Sequence, residues 1–210
     1  MHKAQSRLII SIGTAALLWF YMFSPWTSSL SNFWVNMSIS AVILSSMAAL
    51  WSGYGTNAFS SKNFIVQTVV GITIALLLWG IFWIGDILSQ SLFTFARTQV
   101  DNVYAMKNGS NPILLVLLLL FLIGPAEEFF WRGYVQKNLS SFIGNTKSLI
   151  VTTLIYALVH IWSFNFMLIM AALVAGFIWG LIYRLKPSLL PAIIVSHAVW
   201  DALVFVILPI

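Results

Sequence analysis

Seven apolar stretches, each close to the ~20 residues an α-helix needs to cross a ~30 Å hydrocarbon core, leave this chain few ways to fold. They run over about Leu8–Phe23, Phe33–Trp51, Phe64–Asp86, Ile113–Trp131, Leu149–Trp162, Phe166–Tyr183 and Leu189–Leu208. Backbone N–H and C=O groups in lipid must be satisfied within their own segment, so such stretches read as helices. The expected fold is all-α: a polytopic transmembrane helical bundle of about seven spans, one membrane domain over residues 1–210. With 60% hydrophobic and 7% charged residues, a soluble fold is excluded. The chain has no cysteine, which removes disulfides, thiolate metal sites and a cysteine nucleophile together.

Basic residues orient the bundle. Lys3 and Arg7 precede the first span, Lys62 lies between the second and third, Lys137 and Lys147 between the fourth and fifth, and Arg184 and Lys186 between the sixth and seventh. The loops Ser24–Asn32 and Ser163–Asn165 carry no charge, so the positive-inside bias places the N-terminus in the cytoplasm. The first span reads as uncleaved, because it offers no clear small-residue cleavage site. Between Ile87 and Asn111, Leu92, Phe93, Ala96, Val100, Val103 and Tyr104 recur at helical spacing. An amphipathic surface helix is expected there, serving as a plain connector. Gly124-Pro125 is expected to interrupt the fourth span. Trp19, Trp26, Trp51, Trp83, Trp162 and Tyr183 fall near span ends, where amphipathic rings favour the interface. The net charge of +5 bears on topology and anionic lipid, and no nucleic-acid partner is expected.

Against this background the ionisable residues stand out. Only five acidic residues and three histidines occur, and Glu127, Glu128, Asp201, His160 and His197 fall inside apolar runs. An ionisable group in hydrocarbon costs several kcal/mol unless paired or facing a cavity, so each is a functional candidate. In Glu127-Glu128-x-x-x-Arg132, helical geometry puts Glu128 and Arg132 on one face and turns Glu127 about 100° away. One carboxylate is then free for chemistry while the pair offsets the cost of burying the other two groups. Tyr156-x-x-x-His160 and His197-x-x-x-Asp201 each place two polar side chains on one helix face, and Asp201 is positioned to fix the tautomer of His197. Counting ~1.5 Å per residue from the flanking basic residues puts these groups ~15 to ~22 Å deep, and a common cavity opening toward the cytoplasmic half is expected. Gly176-x-x-x-Gly180 suits close helix packing.

The order Glu-Glu-x-x-x-Arg, aromatic-x-x-x-His, His-x-x-x-Asp on successive helices resembles the CPBP family of intramembrane proteases, which includes CAAX prenyl proteases and bacteriocin-processing enzymes and is also called the ABI family. The resemblance covers about residues 113–208, which would then be the catalytic helices. It implies that Glu127 is the general base, that His160 helps hold and activate water, and that His197 and Asp201 serve the oxyanion, with Glu128 and Arg132 in support. Two departures are Tyr156, where the family usually has Phe, and Asp201, one of two family alternatives. An ionised Asp would repel an oxyanion, so Asp201 is expected to orient His197 while the imidazole donates alone.

No cofactor is expected; the alternative is a divalent ion such as zinc, held by Glu127, His160 and His197. A metal-free reaction is favoured because no His-Glu-x-x-His segment is present. Gly-x-Ser-Gly and Gly-x-Gly-Asp segments are absent too, and Asp86 is expected at the interface. The reading is therefore a glutamate-type intramembrane endopeptidase in a prokaryotic cell membrane, acting on a membrane-associated peptide or protein, lipidated or not. The alternatives are a non-enzymatic scaffold or immunity-type protein and a proton-coupled carrier.

Overall fold

The computed structural model describes residues 2–52 and 63–210; Lys62 lies outside the described residues. All regular structure among them is helical, and seven helices are long and apolar enough to cross a membrane. They are α1 (His2–Phe23), α2 (Phe33–Ser52), α3 (Phe64–Leu92), α5 (Pro112–Ile143), α6 (Asn145–Ser163), α7 (Phe166–Leu185) and α8 (Pro187–Ile207). The shorter α4 (Ala96–Ala105) follows α3. All seven expected spans are present. The third runs on from Asp86 to Leu92, and the fourth extends beyond Trp131 to Ile143.

Pro125 does not break α5, contrary to the expectation. A proline inside a helix removes one N–H and crowds the carbonyl four residues earlier. Here the helix widens instead. Leu119–Ile123 forms a π-helical turn that leads into Gly124, whose N–H bonds the Leu119 carbonyl, and a second wide segment spans Phe129–Gln136. Glu127 and Glu128 lie on the normal turn between the two, and such wide turns recur at functional sites.

Buried apolar residues form two blocks. One joins α1, α2, α5 and α6 through Trp19, Trp34, Leu119, Trp131 and Ala157. The other joins α3, α7 and α8 through Leu78, Trp179, Ile193 and Trp200. Two glycines allow helices from different blocks, or within one, to approach closely. A Cβ on Gly124 would lie 2.7 Å from the Ala198 Cα, and one on Gly71 would lie 2.5 Å from the Ala192 carbonyl oxygen. The Gly124 contact presses α5 against the residue beside His197.

The Gly176-x-x-x-Gly180 spacing has a specific use. Arg132 Nη2 donates to the Gly176 carbonyl at 2.8 Å, and Gln136 Nε2 donates to the Gly180 carbonyl at 2.9 Å. Donors four apart on α5 thus meet acceptors four apart on α7, so the two helices are locked in register through side chain to backbone bonds.

The helix α4 is more than a connector. Its Val100, Val103 and Tyr104 line a cavity between the helices. Ends are tied down around it: Asn165 Nδ2 donates to the Gln99 carbonyl at 2.7 Å and Gln99 Oε1 accepts from Met167 N at 3.0 Å. Arg97 bridges Asp101 at 2.6 Å and Asp86 at 3.8 Å. These bonds hold Asp86, expected as a simple interfacial residue, in a charge cluster at one end of the cavity.

Candidate functional site

A cavity of about 510 Å³ opens between the two apolar blocks, and Glu127, Tyr156, His160, His197 and Asp201 line it together. Its remaining wall is largely apolar, with Phe23, Leu119, Ala172, Trp179 and Trp200 among the lining residues. Glu128 and Arg132 stand behind this wall, both fully buried. The two adjacent glutamates therefore have different surroundings, as the 100° per residue of a helix dictates.

Glu127 Oε2 accepts a hydrogen bond from the Tyr156 hydroxyl at 3.0 Å. That contact supplies the partner a buried tyrosine needs and points the carboxylate toward α6. Glu128 Oε1 accepts from Arg132 Nη1 at 2.6 Å and also meets His197 Nδ1 at 2.7 Å. One carboxylate oxygen thus joins an intrahelical ion pair to the imidazole of α8. The Arg132 guanidinium stacks over Tyr156 and Trp179, 4.9 and 5.6 Å from their ring centroids. Together with the Gly176 carbonyl these contacts compensate a fully buried cation.

His197 is held on three sides. Its ring lies 4.1 Å from Trp179 and 18° from parallel, Nδ1 faces Glu128, and Nε2 lies 3.4 Å from Asp201 Oδ2. At 2.7 Å an imidazole nitrogen against a carboxylate oxygen requires a proton between them, so His197 Nδ1 and Glu128 share one, whereas the Asp201 contact at Nε2 is longer. Trp179 is itself anchored by its Nε1 donating to Ser196 Oγ at 3.1 Å.

His160 sits where α6 tightens into a 3₁₀ turn. Its Nδ1 lies 2.8 Å from the Tyr156 carbonyl, and its Nε2 accepts from Trp19 Nε1 at 3.1 Å. A carbonyl only accepts, so Nδ1 carries the proton and the Nε2 lone pair receives the indole N–H. Both ring nitrogens therefore have protein partners. The aromatic rings of Trp19, Phe23 and Tyr156 surround it.

All six residues singled out in the sequence converge here, although only four of them line the cavity. Two functional neighbours escaped sequence reasoning. Trp19 was placed at the membrane interface but is 1% exposed and bonds His160; Trp179 is fully buried against His197. Tyr183 is also buried against protein, whereas Trp26 and Trp83 are exposed as interfacial residues are. The cavity departs from the expected direction. The first three helices line it with the half farther from the basic loops: Phe23 at the end of α1, Phe33 to Met37 at the start of α2, and α3 from Ile81 onward. Depth counted from Lys137 falls short of the full distance to the basic end, because α5 continues past that residue to Ile143.

The donor set does not suit a metal held by Glu127, His160 and His197. Nδ1 of His160 faces the Tyr156 carbonyl and its Nε2 is occupied by an indole N–H, so this ring offers no open nitrogen. Among the described residues no group of three or more His, Asp or Glu side chains is arranged to hold an ion.

Fold and site together define a polytopic helical membrane protein with an acid and histidine pocket enclosed between its spans. Comparison with known families adds the second step. Residues 109–203 match the family described as Type II CAAX prenyl endopeptidase Rce1-like, in line with the resemblance drawn from the three motifs. The matched segment contains Glu127, Glu128, Arg132, His160, His197 and Asp201. The description of that family is of an endopeptidase, a hydrolase of peptide bonds. Neither a curated protein nor a solved structure matches the chain.

Proposed function

We propose that the protein is a glutamate-type intramembrane endopeptidase and that Glu127 is its general base. The observation that carries this reading is the placement of Glu127, with Tyr156, His160, His197 and Asp201, on the wall of one largely apolar cavity. Apolar walls suit a membrane-embedded or lipid-bearing segment, and convergent polar groups suit chemistry on one bond within it.

The reaction follows from the positions. Glu127 takes a proton from a water molecule as the water oxygen bonds the carbonyl carbon. Negative charge moves to the carbonyl oxygen, where His197 donates from Nε2, the nitrogen whose 3.4 Å contact with Asp201 is the looser of its two. When the C–N bond breaks, Glu127 returns the proton to the leaving amine. Tyr156 keeps the Glu127 carboxylate aimed, and Glu128 keeps His197 in place through the shorter 2.7 Å contact. His160 forms part of the water's surroundings, and binding water at its Nε2 requires the Trp19 indole to yield. The Trp19 indole N–H on His160 Nε2 favours a route without metal. Location in a prokaryotic cell membrane is part of the same proposal, as is residues 113–208 acting as the catalytic helices of one membrane domain.

Comparing protein termini in membranes from cells expressing wild type and Glu127→Gln tests the reading, with detergent melting to show that the variant folds. Peptide ends present only with the wild type are the expected result and name the substrate. Identical termini, in cells where natural neighbours are expressed, would favour a carrier or a scaffold.

A further inference from the structure

We infer that the cavity is served from the non-cytoplasmic side of the membrane, and that its substrates are polypeptide segments presented from the outer leaflet or the space beyond it. The first part rests on charge and shape alone; the word substrate rests on the protease reading.

Charge separates the two ends of the bundle. Among the described residues, Lys3, Arg7, Lys137, Lys147, Arg184 and Lys186 fall at one end, where no acid occurs. Arg97 and Lys107 fall at the other, beside Asp86 and Asp101, and Arg132 is buried in the site. By the count of basic residues that governs insertion, six against two among the described residues, the first end is cytoplasmic.

Shape separates them in the same sense. Apart from Trp179, the residues lining the 510 Å³ cavity come from the middle of the bundle and its opposite half, including α4 and the first three turns of α7. A second cavity of about 350 Å³ shares Phe23 and Phe33 with the first and is lined by Gln99, Asn102, Ser163 and Asn165, a polar set suited to water. It too lies at the end away from the basic loops. Toward those loops the site is plugged. Phe130, Trp131, Tyr134, Val135 and Gln136 follow Glu127 along α5, each at most 2% exposed. Gln136 is bonded to α7, and Gln67 closes α3 on α8 through Ser188 O and Ala192 N, both at 3.2 Å.

Water and polypeptide therefore reach Glu127 from the face that carries α4. A chain end tethered to the cytoplasmic leaflet meets the plugged side. Segments of exported or outward-facing membrane proteins meet the open one.

The absence of cysteine makes the test direct. Single cysteines are placed at Asn102 on α4, at Ala171 on the cavity wall and at Ser188 in the basic-end loop, and spheroplasts of a bacterial host expressing the full chain are treated with a membrane-impermeant maleimide. Asn102→Cys and Ala171→Cys should label on intact spheroplasts, and Ser188→Cys only after permeabilisation. The reverse pattern overturns the inference and leaves the protease reading standing. In the same cells, ends lost with Glu127→Gln should map to outward-facing segments; ends confined to cytoplasmic segments overturn the substrate class. Outward labelling without any such ends overturns the substrate class by removing the protease reading, and leaves the orientation intact.

Discussion

Glu128 Oε1 lies 2.7 Å from His197 Nδ1 and 2.6 Å from Arg132 Nη1, so one oxygen ties α5 to α8 across 69 residues of chain. Removing one member of a buried ion pair strands the other charge, at a cost of about 3–5 kcal/mol. Glu128→Ala is expected to lower the detergent melting temperature sharply and to abolish cleavage. Glu128→Gln keeps the shape and one acceptor, so it should melt between the alanine variant and wild type.

The close approach of α5 and α8 depends on Gly124. A methyl group there would sit 2.7 Å from the Ala198 Cα and 2.8 Å from its nitrogen, backbone atoms that have no rotamer to yield. Gly124→Ala should cost about 1–3 kcal/mol by overpacking and displace His197 from Glu128, with loss of activity exceeding the loss of stability. Gly80→Ala is the control: a Cβ at Gly80 meets nothing within 4 Å, and replacing a mid-helix glycine is expected to be neutral or mildly stabilising.

Asp201 and His197 should separate by mutation. Asp201 lies 3.4 Å from His197 Nε2, and as an orienting group it is replaceable by an amide that still accepts a hydrogen bond. Asp201→Asn should retain appreciable turnover, whereas His197→Gln should lose it. Complete inactivity of a folded Asp201→Asn protein would give the acid a direct part in the reaction.

Tyr156→Phe removes the 3.0 Å donor to Glu127 while keeping the ring between Arg132 and Trp131. A hydrogen bond of about 1 kcal/mol corresponds to roughly fivefold in rate. A loss of that order in kcat, with unchanged melting, is expected in a peptide-release assay. A loss of several hundredfold would assign the hydroxyl to the reacting atoms.

Outside the spans, Tyr104 lends an alkaline pH dependence to stability. Burial holds its phenol above the ordinary tyrosine range, and its oxygen accepts from Ile210 N at 2.9 Å. A pKa raised on folding means that the unfolded chain ionises first, so this contribution is complete below about pH 10 and declines as pH climbs through the folded value. Melting curves taken from neutral to alkaline pH should fall less steeply for Tyr104→Phe than for wild type.

Much of this site is legible in sequence because helices repeat. The pairing of Glu128 with Arg132 and the outward turn of Glu127 follow from 3.6 residues per turn, and the seven spans follow from apolar length. What escapes are relations between helices, which depend on rotation and register. Nothing in the spacing distinguishes Trp19, which bonds His160 across 141 residues, from Trp26, whose ring is exposed. Pro125 misleads for a related reason: whether it breaks a helix or widens it depends on neighbours able to hold a π-helical turn, and here Ala198 packs against the glycine beside it. The direction of the cavity also required knowing that α5 continues past Lys137.

The bonds from Arg132 and Gln136 to the carbonyls of Gly176 and Gly180 distribute mutational vulnerability unevenly. No substitution on α7 can delete a backbone acceptor, so that helix constrains its own residues 176 and 180 by size alone. On α5 the same contacts depend on side-chain identity, and a single change can forfeit one. Two surfaces that meet face to face thus tolerate drift under different rules: one filters by bulk, the other by chemistry.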